Sequence, residues 1–384
     1  MTTRVGVLLN SIAGFGGTLA MHGTDRLAAD RFADAVAAGR ASRRLVRALE
    51  TWRSRGGAAR LVPAPGLLGA DTLRSAGFDA HVEADRDAGI AAGGTVIGPT
   101  TRLDTLAAAR RLVADGIDAL LFSGGDGTAT DIAEAIGLAV PVIGVPSGVK
   151  MHSQVFSRSP EAAGRLLAEL TAGRAWDETA DVLDAAADGS TGVIAALRAA
   201  RAGEPLQGAK GGASASSDEG ERRAIAAELL RASGPATTWI IGPGTTAAAL
   251  ADALGVAGTL RGVDVRHPSG RVEPDVDEER LLAVVTAAAD PRLVLGVVGG
   301  QGFLLGRGNH ELSPRVLAAL GPDRVSIVAT SSKVATLVPP VLYIDADDGL
   351  GGEPAGSRHP LLGYRRVRTG ARQTTVLNVV DAAA

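Results

Sequence analysis

Ala119-Leu120-Leu121-Phe122 leads directly into Ser123-Gly124-Gly125-Asp126-Gly127-Thr128. Four apolar residues without alternation mark a strand covered on both faces, as in the middle of a parallel sheet. The glycines that follow let the backbone turn sharply and bring N–H groups close to an anion. The helix expected next, Thr130 to Ile136, adds the partial positive charge of its N-terminus. In an open α/β sheet this is where ligands bind, at the carboxyl end of a strand. Asp126 is the carboxylate inside the loop, placed to orient an attacking hydroxyl or take its proton. A plainer reading of the same residues is a tight turn whose aspartate caps the helix.

The flanking pattern supports a doubly wound sheet. Val5 to Leu9, Ala59 to Val62 and Val142 to Val145 read as further strands, and Phe78 to Glu83 is strand-like. Between them, Arg26 to Arg55, Asp71 to Ala76 and Asp104 to Asp115 predict helices, the last started by Thr101 or Asp104. This β-α-β-α rhythm predicts an α/β fold with a doubly wound parallel-sheet N-terminal domain over 1–175. The character changes near Trp176, so 176–384 is expected to form a mixed, β-rich C-terminal domain. Its strands are expected at Thr238 to Ile241, Leu293 to Val298, Val325 to Ala329, Val341 to Ile344, Tyr364 to Arg368 and Thr374 to Val380. Its helices are expected at Thr246 to Leu254, Glu278 to Ala289 and Ser313 to Ala319. The small, polar, glycine-rich run 201–223 reads as a mobile loop.

Composition narrows the classes. A chain of 384 residues favours roughly two domains of about 100–200 residues each. With 46% hydrophobic and 21% charged residues it has the material for a sizeable core, which excludes wholesale disorder. A formal net charge of −3 and 3% aromatic residues give no support for nucleic acid or membrane as a partner. The absence of cysteine excludes disulfides, thiolate zinc sites and a cysteine nucleophile. The first apolar run is too short for a signal-peptide core and no long apolar span follows, so a cytoplasmic location is expected. No P-loop string, strand-borne Gly-x-Gly-x-x-Gly, His-Glu-x-x-His or Gly-x-Ser-x-Gly occurs.

Gly124-Gly125-Asp126-Gly127-Thr128 resembles the signature of the NAD kinase and diacylglycerol kinase superfamily. Other segments point the same way. Asn10-Ser11-Ile12-Ala13-Gly14 is similar to that superfamily's first-strand turn, with Ser11 where proline is usual. The segment from Gly144 to Ser153, with Pro146, Gly148 and Lys150, resembles the ATP-NAD kinase branch that includes the acetoin-catabolism X proteins. So does the segment from Gly299 to Asn309. Gly242-Pro243-Gly244-Thr245-Thr246 is similar to the family's second glycine-threonine nucleotide loop. The likeness runs from the first strand to about Lys333.

The resemblance implies a kinase that moves the γ-phosphate of ATP to the adenosine ribose 2′-hydroxyl of NAD, giving NADP. On matching positions, Asp126 would be the catalytic carboxylate, and Gly124, Gly125, Gly127 and Thr128 would hold phosphate or ribose oxygens. Mg²⁺ would be held mainly through the nucleotide phosphates, with no dedicated metal ligands in the chain. It also implies a homo-oligomer; a site between the domains is expected because ligands often bind there. A kinase of another hydroxyl metabolite or lipid, and a non-catalytic nucleotide-binding sensor or accessory protein, are the alternatives.

Several residues join as candidates. Lys150 follows a strand and suits phosphate charge, or is a solvent lysine. Asn10 is placed to bond across strand ends to the glycine loop, or to form an Asx turn. Gly244, Thr245 and Thr246 again lie between strand and helix, where anion binding competes with ordinary capping. Arg307, in a glycine-rich stretch with Gln301 and Asn309, suits a bidentate phosphate clamp or a surface loop. His152 and Ser153 share the Lys150 loop.

Overall fold

The computed structural model describes residues 2–17, 31–79, 100–148, 151–185, 191–202, 215–260, 262–298, 301–306, 308–345 and 359–383. Two compact units divide the chain. One is built mainly from Met1–Phe15 and Gly23–Pro205, the other mainly from Leu206–Ala382.

In the first unit the chain runs β1 (Arg4–Leu9), α1 (Phe32–Ala38), α2 (Arg40–Ser54), β2 (Arg60–Pro63), α3 (Ala70–Ser75), α4 (Arg102–Ala114) and β3 (Ala119–Gly124). It continues through α5 (Asp126–Ile136), β4 (Val142–Pro146), α6 (Pro160–Thr171), β5 (Trp176–Ala185) and β6 (Thr191–Arg201). The sheet order is β2-β1-β3-β4-β6-β5. All neighbours are parallel except the β5–β6 pair, which closes the edge as an antiparallel hairpin. That hairpin extends the first sheet past the expected boundary at 175.

All six residues of β3 are buried because the sheet is covered twice. Val5, Val7, Leu9, Leu121, Ile143 and Val145 pack on α2 and α6 through Leu45, Leu49 and Leu167. Leu8, Leu120, Phe122 and Val142 pack on the opposite face against Leu112 of α4 and Ile132 of α5. The doubly wound sheet read from the sequence is therefore present. Two details differ. The helix expected over Arg26 to Arg55 breaks at Gly39, whose φ of 58° is the left-handed conformation that ends helices; 26–30 lie outside the described residues. The expected strand from Phe78 also falls mostly outside them, and Phe78 and Asp79 are in no strand. Two signals agree locally with the pattern. Asp104 accepts the Thr101 N–H at 2.7 Å in a capping box that starts α4. Ser159 caps α6, with Pro160 in its first turn. Gly164 on α6 lies so close to the Ala48 carbonyl of α2 that a Cβ there has no room.

The second unit holds α7 (Ala215–Arg231), β7 (Thr237–Ile241), α8 (Thr245–Ala253), β8 (Asp264–Arg266), β9 (Val272–Glu273), α9 (Glu278–Ala287) and β10 (Asp290–Gly296). Then follow β11 (Phe303–Leu305), α10 (Pro314–Leu320), β12 (Val325–Val328), α11 (Ser331–Ala335), β13 (Val341–Ile344), β14 (Gly363–Gly370) and β15 (Gln373–Asp381). Nine strands form one mixed sheet, ordered β11-β13-β15-β14-β12-β10-β7-β8-β9. One face carries Ile240, Leu293, Leu295 and Ile327 with Leu281 of α9 and Val316 of α10. The other carries Trp239, Ile241, Val294 and Val328 with Leu229 of α7 and Leu250 of α8. The expected β-rich, mixed domain is thus found, with helices on both faces. The loop expected over 201–223 is corrected from Ala215 onward, where α7 begins; 203–214 lie outside the described residues.

One ion cluster ties β9 to its neighbours. Glu273 accepts from Arg280 Nε at 2.6 Å and Nη2 at 2.8 Å, from Arg271 at 2.7 Å, and lies 2.5 Å from His267 Nε2. The Arg280 hydrogen bonds chiefly, against some burial cost, hold its pKa down at about 2 from 4.5. A depressed carboxylate contributes stability above its unfolded pKa and loses it as pH falls through the folded one. Glu273→Gln is therefore expected to cost on the order of 1–2 kcal/mol at pH 7. In urea unfolding, the gap from wild type should close between pH 4.5 and about 2.

Candidate functional site

The chain first places β2 on one side of β1 and then β3 on the other, so the order reverses between β1 and β3. A crevice at the carboxyl ends of such strands is where open α/β sheets bind ligands. Here Asn10 follows β1 and Gly125-Asp126 follows β3. The two ends are joined directly: Asn10 N–H donates to the Ser123 carbonyl at 2.9 Å, and Asn10 Nδ2 donates to Thr128 Oγ1 at 3.1 Å. Asn10 thus spans the strand ends, the first of its two sequence readings. Its Oδ1 also lies 3.4 Å from the Ile12 N–H, a weak Asx-type contact.

The loops after β3 and β4 meet next. The Gly124 carbonyl accepts from Ser147 N–H at 2.9 Å and Gly148 N–H at 3.0 Å. A Cβ on Gly148 would lie 2.6 Å from the Gly125 Cα, so glycine is needed where the two backbones touch. Behind them Ser123 Oγ and Ser147 Oγ are 2.7 Å apart, and Ser123 Oγ donates to the Ala41 carbonyl at 3.1 Å.

Asp126 occupies the first turn of α5, yet it does not cap that helix. The N-cap is Gly125 and no side-chain cap bond is made. The carboxylate reaches instead to another loop: Oδ2 accepts the His152 N–H at 2.7 Å and Oδ1 the Ser153 N–H at 3.0 Å. The residue is only 8% exposed. Burial pushes its carboxyl above the usual range, and the Ser153 and His152 hydrogen bonds pull the other way. The result is a carboxylate more basic than a solvated one, fixed at a helix N-terminus. The N–H groups of Asp126, Gly127 and Thr128 have no carbonyl one turn back within α5, so they are donors for an anion.

In the second unit β7 feeds Gly244 (φ 103°), and α8 starts at Thr245 with Gly244 as its N-cap and no side-chain cap bond. Neither threonine is spent on capping. Lys333, on α11, donates from Nζ to Thr246 Oγ1 at 3.0 Å and lies 3.4 Å from Thr245 Oγ1. Burial and the charge of Arg222 push the lysine pKa down, with Asp218 opposing. Sequence reasoning did not single out Lys333, which reaches Thr246 across 87 positions. One signal was available: lysine occurs at 150, 210 and 333 only, in a chain whose other basic residues are all arginine.

Asn10, Gly124, Gly125, Asp126, Gly127 and Thr128 therefore come together in the first unit, and Gly244, Thr245 and Thr246 in the second. Lys150 and Arg307 lie outside the described residues. Asn309 bonds locally, accepting from the Gly306 N–H at 3.0 Å and donating to the Leu304 carbonyl at 2.9 Å. Among the described residues no group of three or more His, Asp or Glu is placed to hold a metal, and no helix is long and apolar enough to cross a membrane.

Comparison with family models matches residues 36–175 to the ATP-NAD kinase N-terminal domain and residues 240–369 to the ATP-NAD kinase C-terminal domain. The chain belongs to the ATP-NAD kinase family. Among curated proteins and solved structures nothing matched. In this family member the glycine-aspartate loop and most of the supports just described lie inside the N-terminal match. The Thr245-Thr246-Lys333 group lies inside the C-terminal one.

Two glycines, one after β4 and one at the start of α5, differ in what they must clear. Gly148→Ala is expected to cost about 1–3 kcal/mol, read from the urea midpoint, because its Cβ meets backbone. A Cβ on Gly127 meets nothing within 4 Å. Gly127→Ala is expected to leave stability unchanged or raise it by up to about 1 kcal/mol. Loss of nucleotide binding by this second variant, measured by calorimetry, then reports a ligand lying against the loop.

Proposed function

We propose that the protein is an ATP-dependent NAD kinase that phosphorylates the adenosine ribose 2′-hydroxyl of NAD. The observation that carries this is the Asp126 carboxylate: buried, kept off helix capping, and held by two main-chain N–H groups at the topological switch of a kinase-family sheet.

Each carboxylate oxygen accepts one main-chain N–H and keeps a lone pair for the substrate. Asp126 orients the 2′-hydroxyl and takes its proton as the O2′–Pγ bond forms. The bond from Pγ to the β–γ bridging oxygen breaks, and ADP leaves with the electron pair. Such transfer depends mostly on positioning and charge stabilisation, so one carboxylate beside a helix N-terminus is a sufficient core. Asn10 and Thr128, already bonded to each other, are proposed to contact ribose or phosphate oxygens with the Gly124-Gly125-Gly127 backbone. Gly244, Thr245 and Thr246, with Lys333, are proposed as a further nucleotide contact. Lys150 and Arg307 are proposed as phosphate contacts from sequence alone. Bound with the triphosphate, Mg²⁺ would supply charge neutralisation, and no residue of the chain is assigned to hold it.

The test is NADP formation from NAD, ATP and Mg²⁺, read with an NADP-specific dehydrogenase. Asp126→Asn is expected to lower kcat by about 10²–10⁴ while ATP affinity changes less than about threefold. No NADP from folded wild-type protein would redirect the reading to another hydroxyl acceptor, and ATP and NAD binding without turnover to a sensor. An Asp126→Asn protein with near-wild-type turnover would remove the catalytic role.

A further inference from the structure

Asp126 is only as well placed as the two N–H groups it binds, and these belong to a stretch outside any helix or regular strand, Met151–Ser157. The lower part of that stretch lies along β4: Gly144 N–H donates to the Val155 carbonyl at 3.0 Å and Ser157 N–H to the Gly144 carbonyl at 2.9 Å. The Phe156 ring meets Phe122 edge-on with centroids 5.4 Å apart. The upper part, which bears the Asp126 donors, is held differently.

Ser153 is 5% exposed. Its hydroxyl donates to the Leu183 carbonyl at 3.2 Å and accepts the Leu183 N–H at 3.0 Å. One position on, Gln154 N–H donates to the Asp181 carbonyl at 2.9 Å. Asp181 and Leu183 are two apart on β5, the edge strand of the sheet, and turn these main-chain groups toward 153–154. The β5–β6 ladder shifts register between Val182 and Leu183, at the point where the serine binds. A single side chain thus satisfies both main-chain groups of a strand residue while its own N–H binds the carboxylate.

We propose that Ser153 is a positioning residue for Asp126: its two-way hydrogen bond to Leu183 fixes the N–H that Asp126 Oδ1 accepts, and so fixes the carboxylate for the acceptor hydroxyl. The proposal rests on the phosphoryl-transfer reading for its effect on rate, but not for its effect on the carboxylate. The Ser153 N–H is one of the bonds that oppose the burial raising the Asp126 pKa. Removing the hydroxyl loosens that N–H and leaves the burial in place, so the carboxyl becomes harder to ionise and freer to swing. A transfer that depends on near-contact geometry loses rate on such a change without losing substrate affinity.

Two readouts test this. The first is the titration of the Asp126 carboxyl by carbon-13 NMR on the full chain, assigned with Asp126→Asn. Its midpoint is expected to move up in Ser153→Ala. The second is steady-state kinetics: kcat is expected to fall roughly ten- to a hundredfold, KM for ATP to change less than about threefold, and the acid limb of the pH–rate profile to move up with the NMR midpoint. Ser153→Cys, close in size with a weak donor, serves if the alanine variant does not fold, and is expected to shift the midpoint in the same direction. An unmoved midpoint in a folded variant overturns the proposal, as does a kcat within twofold of an active wild type. If wild type makes no NADP, the kinase reading fails while the NMR midpoint still decides the role of Ser153.

Discussion

The Gly124 carbonyl receives two N–H groups, from Ser147 and Gly148, and this shared acceptor brings the loops after β3 and β4 to one end of the sheet. Much of the site follows from it. With Gly148 held against Gly125, no side chain fits between the two loops. Asp126 is then turned away from its own helix and toward the segment that returns along β4. Because β1, β3 and β4 are parallel and adjacent, the residues after them emerge at one edge. Asn10 can therefore reach Thr128 although 118 positions separate them. A parallel sheet supplies the convergence, and glycine supplies the close approach.

The legible parts of the sequence were those whose physics is local. β1, β3 and β4 stood out because strands buried on both faces carry no polar alternation. β5 and β6 did not, since an edge hairpin leaves Trp176, Val193 and Ile194 partly in water. α7 was hidden by the serine- and glycine-rich run that leads into it, although its later turns bury Ile225, Ala226 and Leu229. In the site, the glycine spacing around Asp126 pointed to the loop at which the strand ends converge. What that loop binds could not be read, because the partners of Asp126 are main-chain N–H groups and any residue except proline offers one. Lys333 escaped for another reason: its partners, Thr245 and Thr246, are brought near only by the fold of the second unit.

The two units solve a similar problem with different chemistry. Each sends a strand into a glycine and then into a helix whose first residues are not used as side-chain caps. In the first unit the group gathered there is a carboxylate whose pKa is raised mainly by burial. In the second it is an ammonium whose pKa is lowered mainly by the same cause. Desolvation moves both groups toward neutrality, the acid becoming a better proton acceptor and the lysine a readier proton donor. The first glycine turn thus presents a carboxylate raised in basicity, and the second an ammonium beside two hydroxyls.

The bonds from 153–154 to β5 carry a consequence outside catalysis. A strand at the margin of a sheet offers its spare N–H and C=O groups to any passing chain, and proteins must blunt that offer to stay monodisperse. Here it is blunted by the hydroxyl of Ser153 and the N–H of Gln154, main-chain groups of Leu183 and Asp181 being already taken. The serine proposed to position the carboxylate thus also occupies main-chain groups that an added strand would need. Loss of the hydroxyl would therefore return both main-chain groups of Leu183 to the edge, whatever it does to Asp126.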